Sequence, residues 1–174
     1  MRKNLIIMLA AVAVVLGCTS RKEEFKAADG SVCAVHDERS DSWTIMGPDG
    51  REVVTGYDSM RVAEVSEDGH PMTVIYYTGN RQTVLQYFSS MALRCRGELV
   101  DGLREGLWQF YYENGNLQSE ATFVAGRESG EKRVFRENGV PYYIGHYDNG
   151  VRVGTWEAYD PNGELVEKRE YQDD

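Results

Sequence analysis

Residues 102–115 read GLREGLWQFYYENG, residues 126–139 read GRESGEKRVFRENG, and residues 150–163 read GVRVGTWEAYDPNG. The three segments are in register, because Gly102, Gly126 and Gly150 follow one another at intervals of 24 residues. A fixed period of this length is typical of stacked repeats, in which each unit buries its apolar face against its neighbours. The sequence therefore predicts a repeat array in this part of the chain.

Each unit is predicted to be a β-hairpin. In the first copy, residues 108–112 favour one strand and residues 117–124 favour the return strand, with Asn114-Gly115 between them. Asn-Gly is a strong hairpin signal, because both central residues of a type I′ turn take a positive φ angle, which Asn tolerates and Gly adopts freely. The pair recurs as Asn138-Gly139 and Asn162-Gly163, so we expect this turn in every copy. The glycine-flanked segment between units is expected to form a second, longer connection.

The pattern G-x-x-x-G-x-W-x-x-Y-x-x-N-G resembles the MORN-repeat variant of many bacterial proteins, some of which are labelled as antitoxins. The resemblance spans residues 93–171. It implies a single-layer, twisted β-meander with a scaffold or binding role and no shared catalytic residues. The middle copy departs from the pattern, because Lys132 stands where its neighbours have Trp108 and Trp156, and Arg136 stands where the first copy has Tyr112.

Weaker copies of the pattern precede the clear repeats. Residues 31–36 favour a leading strand, and Asp49-Gly50 favours a turn that returns over residues 51–57. Two further hairpins are predicted over residues 62–77 and 84–100. With the clear copies, this predicts six hairpins in one sheet.

The N-terminus has the pattern of a lipoprotein signal peptide. Arg2 and Lys3 precede an apolar run over residues 5–16, which is too short for the roughly 20 residues of a transmembrane helix. The ending Val-Leu-Gly before Cys18 resembles a bacterial lipobox, in which the cysteine is acylated. No acidic residue follows Cys18 directly, so we expect delivery to the outer membrane, on its periplasmic face or at the cell surface.

Together these patterns predict an all-β protein. We expect a signal helix first, and then a single-layer, twisted antiparallel meander of repeated β-hairpins. The predicted segments are a signal peptide at 1–17, a lipid-anchored tether at 18–30, degenerate hairpin repeats at 31–92 and clear 24-residue repeats at 93–174.

Charge restricts the possible partners. The formal net charge is −9, and Arg2 and Lys3 would be lost with the signal peptide. A strongly acidic chain opposes nucleic-acid binding, which needs a basic surface, and also opposes broad attachment to anionic lipid. We therefore expect no nucleic-acid partner, and we expect attachment to the membrane through acylated Cys18.

Residues with catalytic or metal-binding chemistry are isolated. The histidines His36, His70 and His146 form no recognised motif, and His146 is expected to face solvent. Cys33 and Cys95 are predicted to lie too far apart in a meander to form a disulfide. We therefore predict a non-enzymatic protein without a cofactor or a metal ion.

Alternation within the return strands predicts which side chains pack together. Period-two spacing places two columns on one face, and large side chains in one column interlock with small ones in the other. The large column is Leu99, Phe123, Tyr147 and Tyr171, and the small column is Gly97, Ala121, Gly145 and Arg169.

The remaining aromatic residues give the candidate binding surface. Tyr111 and Tyr143 fall in recurring columns that we assign to packing. Adjacent tyrosines point to opposite faces, which leaves Tyr112 and Tyr142, with Trp156 in the same alternation as Tyr112. The alternative is a sheet that is curled or covered on both sides.

Two classes of function follow from these observations. The first is a lipid-anchored scaffold or binding module of the bacterial envelope, with a protein partner. The second is an immunity or antitoxin protein that neutralises a partner toxin. A weaker alternative is a glycan-binding module that uses exposed tyrosines.

Overall fold

The computed structural model describes residues 21–26, 30–47, 50–54 and 56–172, and the predicted signal peptide and Cys18 lie outside these ranges. The described residues form two antiparallel sheets and no helix, so no helix among them is long and apolar enough to span a membrane. The all-β prediction is confirmed for this part of the chain.

The small sheet contains β1 (Lys22–Lys26), β2 (Val32–Asp37) and β3 (Ser42–Ile45). The long sheet contains ten strands, which are β4 (Ser59–Val65), β5 (Pro71–Thr78), β6 (Arg81–Tyr87), β7 (Leu93–Val100), β8 (Leu103–Tyr111), β9 (Leu117–Val124), β10 (Arg127–Phe135), β11 (Pro141–Asp148), β12 (Val151–Tyr159) and β13 (Leu165–Tyr171). Strands that follow one another in sequence from β4 to β13 pair with each other, which confirms the predicted meander.

The prediction of one continuous sheet is wrong for the N-terminal part. Strand β1 lies in the segment predicted to be a tether, and it pairs with β2. The described residues of the predicted return strand 51–57 form no strand, and only Glu52 makes a bridge, to Met46. β1–β3 therefore form a sheet of their own.

The small sheet covers an apolar face of the long sheet. On β5 and β6, Val74 lies opposite Leu85, and both are buried. They share one core with Phe25 and Ile45 of the small sheet and with Tyr76. An apolar sheet face must pack against another layer to leave water, and the small sheet supplies that layer only at this end of the meander.

The two kinds of turn are the reverse of the predicted arrangement. The pairs with positive φ at both residues are Asp101-Gly102, Ala125-Gly126 and Asn149-Gly150, which therefore form the tight two-residue connections. At the predicted Asn114-Gly115 turn, only the glycine has a positive φ. Here Gly115 donates its N–H to Tyr112 O at 2.9 Å, and Asn114 accepts the N–H of Asn116 through its side chain. The asparagine thus supports a longer loop and not a type I′ turn.

In the repeats, tryptophan rings lie directly on glycine backbone. A Cβ atom added to Gly97 would lie 2.2 Å from Trp108 Cδ2, and one added to Gly145 would lie 2.1 Å from Trp156 Cδ2. Each indole N–H also donates to a backbone oxygen of the same strand as its glycine, Glu98 O at 3.0 Å in the first case and His146 O at 3.1 Å in the second. Residues of the small column therefore do interlock with large side chains, but these are Trp108 and Trp156 and not the predicted large column.

The middle repeat has a different pair at this position. Ala121 lies opposite both Trp108 on β8 and Lys132 on β10, so it takes the place of the glycine while lysine takes the place of the tryptophan. Both members of the pair have changed together, because an alanine methyl group needs the space that a flat indole would fill.

We predict that Gly145→Ala lowers the free energy of unfolding by roughly 1–3 kcal/mol, because the new methyl group overlaps Trp156. The double variant Gly145→Ala with Trp156→Lys copies the middle repeat. Its loss of unfolding free energy should be smaller than the summed losses of the two single variants by at least about 0.5 kcal/mol. Chemical denaturation of the two single variants and the double variant measures this coupling.

Gly154→Ala provides the control for that cycle. Gly154 has a φ of +61° and no heavy atom within 4 Å of an added Cβ, so its cost arises from the backbone alone. The losses of unfolding free energy from Gly154→Ala and Trp156→Lys should add when the two changes are combined. If the losses from Gly145→Ala and Trp156→Lys also added, the contact between the tryptophan and the glycine would be contradicted.

We also predict that Ala125→Asn raises the free energy of unfolding by about 0.5–1 kcal/mol. Ala125 has a φ of +47°, and the equivalent residue of the next repeat is Asn149, at +49°. Asn tolerates this conformation better than Ala does. The urea midpoint measures the gain, and Asp101→Ala, which makes the opposite change in the preceding turn, should lower it. A midpoint that falls with Ala125→Asn would contradict the turn assignment.

Candidate functional site

The repeats give the long sheet an aromatic face. It is defined by residues that alternation and strand pairing place together, namely Trp108, Phe110, Phe123, Tyr143, Tyr147, Trp156 and Tyr171. The strands of the repeats contact chiefly their hydrogen-bonded neighbours, and the small sheet lies on the other side at β5 and β6. This face therefore buries its rings without a second layer.

Trp156 is buried, so it is not part of an exposed surface with Tyr112 and Tyr142 as predicted. Its side chain is 7% exposed. Its ring centroid lies 5.7 Å from that of Tyr143, 5.1 Å from that of Tyr147 and 6.0 Å from that of Tyr171. These rings surround the indole, and the backbone of Gly145 lies beneath it, which explains the burial.

Arginine side chains cap the aromatic face. The guanidinium carbon of Arg104 lies 4.5 Å from the Trp108 ring centroid, 5.2 Å from Phe123 and 5.7 Å from Phe110. Cation–π contacts of this kind stabilise by about 0.5–1 kcal/mol at exposed sites. The arginine thus takes part of the role that a second layer of protein would have.

The third repeat has an equivalent cap. Arg152 lies 24 × 2 residues after Arg104 in the repeat register, 4.5 Å from the Trp156 ring centroid and 5.8 Å from that of Tyr171. It donates to the Tyr171 hydroxyl at 3.3 Å. Hydrogen bonds from Arg152 and from Arg169 lower the pKa of Tyr171.

The middle repeat replaces this cap with an ion pair. Glu128 stands where its neighbours have arginine, and its Oε1 lies 2.6 Å from Lys132 Nζ, with the two side chains 23% and 22% exposed. Burial alone would lower the pKa of Lys132, but the hydrogen bond and negative charge of Glu128 raise it above its ordinary value. With no indole here, a shallow groove remains beside the pair. It is lined by Arg104, Phe110, Gln118, Ser119, Ala121, Phe123, Glu128 and Lys132.

The opposite face of the repeats is polar. Glu120 accepts from Gln109 at 3.1 Å and lies 3.5 Å from Arg133, which also pairs with Glu131. Exposed ion pairs such as these contribute little to stability. We call this surface the polar face, and its role is to keep that side of the sheet in water.

Tyr112 and Tyr142 lie at the edge where the longer loops are. Tyr112 is half-buried, and its hydroxyl donates to Phe135 O of the next repeat at 2.9 Å. Arg136, its equivalent, donates to Tyr159 O at the same distance. Tyr142 is exposed, with the guanidinium of Arg136 at 4.4 Å from its ring centroid. Tyr112 thus links repeats, and Tyr142 is the exposed member of the predicted set.

The residues with possible catalytic chemistry remain separate. His146 is exposed and 4.0 Å from Glu131, and His36 lies 3.0 Å from Asp41, in the other sheet. Within the described ranges, no group of His, Cys, Asp and Glu side chains has the arrangement of a metal site. Cys33 and Cys95 are both buried, and no disulfide joins them.

Sequence reasoning missed the arginine caps. The signal was present, because Arg104 and Arg152 each stand four residues before a tryptophan. In the middle repeat, Glu128 stands four residues before Lys132. Bulges on the tryptophan strands, opposite Gly97 and Gly145, bring these side chains onto the rings, and a bulge is not visible in a simple alternation of residues.

The family described as MORN repeat variant matches the chain three times in succession, at residues 104–125, 128–149 and 152–173. Each match corresponds to one hairpin, which confirms three consecutive MORN repeat variants. Such repeats are typically binding or scaffold modules and are generally not enzymes.

Other comparisons are sparse. No curated protein matches the chain. Among solved structures, the chain is similar to a mutant of S. aureus TarM in complex with fondaparinux, alpha-GlcNAc-glycerol and UDP, with 8% sequence identity and a TM-score of 0.34. That alignment covers 76% of this chain and 21% of the other.

We predict that Lys132→Met lowers the free energy of unfolding by roughly 1–3 kcal/mol, because Glu128 loses its partner in a half-buried site. Glu128→Gln with Lys132→Met together should cost less than the sum of the two single changes. Since the pKa of Lys132 is raised in the folded state, the stabilisation is present at neutral pH and is lost as the pH rises through that raised pKa. Urea denaturation at neutral and alkaline pH measures both effects, and equal costs at the two pH values would contradict the assignment.

Proposed function

We propose that this chain is a non-enzymatic scaffold or binding module of the bacterial envelope, held at the outer membrane by acylated Cys18, and that it binds a protein partner. The observation that carries the proposal is the aromatic face, a broad surface of packed rings with charged caps and no second protein layer in the repeats.

The surface chemistry supports binding and not catalysis. The partly exposed rings of Tyr143 and Tyr147 pack against the buried Trp156, so the surface has little side-chain entropy to lose when a partner binds. Arginine and aromatic residues are the types most enriched where protein interfaces gain their energy. The first and third repeats present an arginine over a tryptophan, and the middle repeat lies between them, which suits an extended contact.

The anchor rests on the N-terminal pattern alone. The basic start, the short apolar run and the lipobox-like ending at Cys18 favour acylation. Several acyl chains on one cysteine hold a protein at a membrane more firmly than a single chain does. Strand β1 begins at Lys22, so the described sheet starts within a few residues of the proposed anchor.

We predict that a photo-crosslinking residue at position 169 of the full chain captures a discrete envelope protein in intact cells. Arg169 is on the aromatic face and 62% exposed. Cys18→Ser in the same chain should move the protein from the membrane fraction to the soluble fraction and abolish the adduct. Immunoblotting of the irradiated fractions and mass spectrometry of the adduct are the measurements.

The adjacent position 168 is the matched control. Lys168 is 56% exposed and points to the polar face. Adducts of equal pattern from both positions, or from neither, would contradict the proposal. If the captured protein is a toxin that the chain neutralises in a protection assay, the immunity function replaces the scaffold function.

A further inference from the structure

Arg104 and Arg152 lie over aromatic rings and have unused hydrogen-bonding capacity. Neither guanidinium has a carboxylate partner among the residues that the structure describes. Arg152 donates to the hydroxyls of Tyr171 and Tyr147, and both arginine side chains are exposed. Stacking occupies the faces of a guanidinium and leaves its N–H edge free, and this edge matches the two oxygens of a carboxylate.

We propose that the aromatic face binds an extended acidic peptide segment of a partner protein, with carboxylates of the segment held by Arg104 and Arg152. This inference rests on the proposed function as a protein-binding module and specifies the chemistry of the partner.

The distribution of charge supports an acidic occupant. The chain as a whole carries −9, yet the charged residues on the aromatic face of the repeats are mostly basic. Those on the aromatic face are Arg104, Lys132, Arg152 and Arg169, with Glu128 and Glu167. Those on the polar face are Arg94, Arg96, Arg127, Arg133 and Lys168, with Glu98, Glu105, Glu120, Glu131, Asp148, Glu157 and Glu170. The two sides of one sheet thus have opposite electrostatic character, and the basic one attracts carboxylates.

The spacing of the two caps defines the segment. Arg104 is on β8 and Arg152 is on β12, four strand positions apart in the meander, which corresponds to roughly 19 Å at about 4.8 Å per strand. An extended peptide advances about 3.3 Å per residue, so carboxylates about six residues apart would reach both caps. The ion pair of Glu128 and Lys132 lies between them and is neutral overall, so the middle of the segment needs no charge.

Other anionic partners fit less well. Sugar rings bind by stacking on open aromatic faces, but Arg104 already occupies the face of Trp108, and Arg152 that of Trp156. A membrane surface extends along the whole molecule, so its anionic lipids are repelled by the net negative charge of the chain. A narrow peptide interacts mainly with the charges close to it, because charges beyond about 8 Å are screened at physiological salt.

The test measures binding of a fluorescent peptide to the full chain in detergent micelles by anisotropy. The peptide has about twelve residues of Gly, Ser and Thr with two Glu residues six positions apart, and the comparison peptide has Gln at both positions. We expect the Glu peptide to bind at least about tenfold more tightly than the Gln peptide. Arg104→Gln with Arg152→Gln should abolish that difference, and Arg104→Lys, which keeps the charge without the fork, should reduce it.

The control is Arg127→Gln with Arg133→Gln, which removes the same charge from the polar face and should leave binding within about twofold. Thermal unfolding followed by circular dichroism shows that each variant is folded. Equal affinity for the Glu and Gln peptides would overturn the inference. An equal loss of affinity for the Glu peptide in the polar-face control and in the Arg104→Gln with Arg152→Gln variant would also overturn it. Binding of a sulfated oligosaccharide through Arg104 and Arg152 without binding of the Glu peptide would also overturn it. If cross-linking at position 169 still succeeds in that case, the scaffold function stands and only the acidic partner is removed.

Discussion

A tryptophan ring that lies flat on a glycine of the adjacent strand is the contact on which the repeat sheet depends. A sheet of one layer has no partner to cover its apolar side chains, and burial must come from within the layer. Trp108 on Gly97 and Trp156 on Gly145 achieve this, because a residue without a Cβ lets the indole approach the backbone. The indole N–H then closes a hydrogen bond to the same strand, which fixes the ring and the local bulge together.

This constraint explains why residues in the repeats vary as sets. Where the ring is present, the neighbour is glycine and an arginine caps the ring from the solvent side. In the middle repeat, alanine, lysine and glutamate occupy the three equivalent positions, and an ion pair replaces the stacked cation. Each set is internally compatible, whereas a mixture would leave an overlap or an unpaired charge.

Apolar side chains are buried in different ways at the two ends of the described part of the chain. Near the N-terminus, the small sheet provides a second layer, and its Phe25 and Ile45 share a core with strands β5 and β6. In the repeats, side chains of the same sheet take that role. The second solution leaves charged groups on the outer side of the rings. A surface of this kind is both stable by itself and available to a partner, which connects the way the sheet is held together with the binding function proposed for it.

The period of 24 residues, return strands such as residues 117–124 and the column of small residues were determined by sequence alone, because glycine spacing and side-chain alternation are local properties. The tertiary structure decided three other features. It placed the type I′ conformation at Ala125-Gly126 and not at Asn114-Gly115. It buried Trp156, and it brought Arg104 onto three rings. Each of these depends on which residue faces another across a bulged strand pair, and that partner is set by the register of the folded sheet and not by the neighbouring residues in sequence.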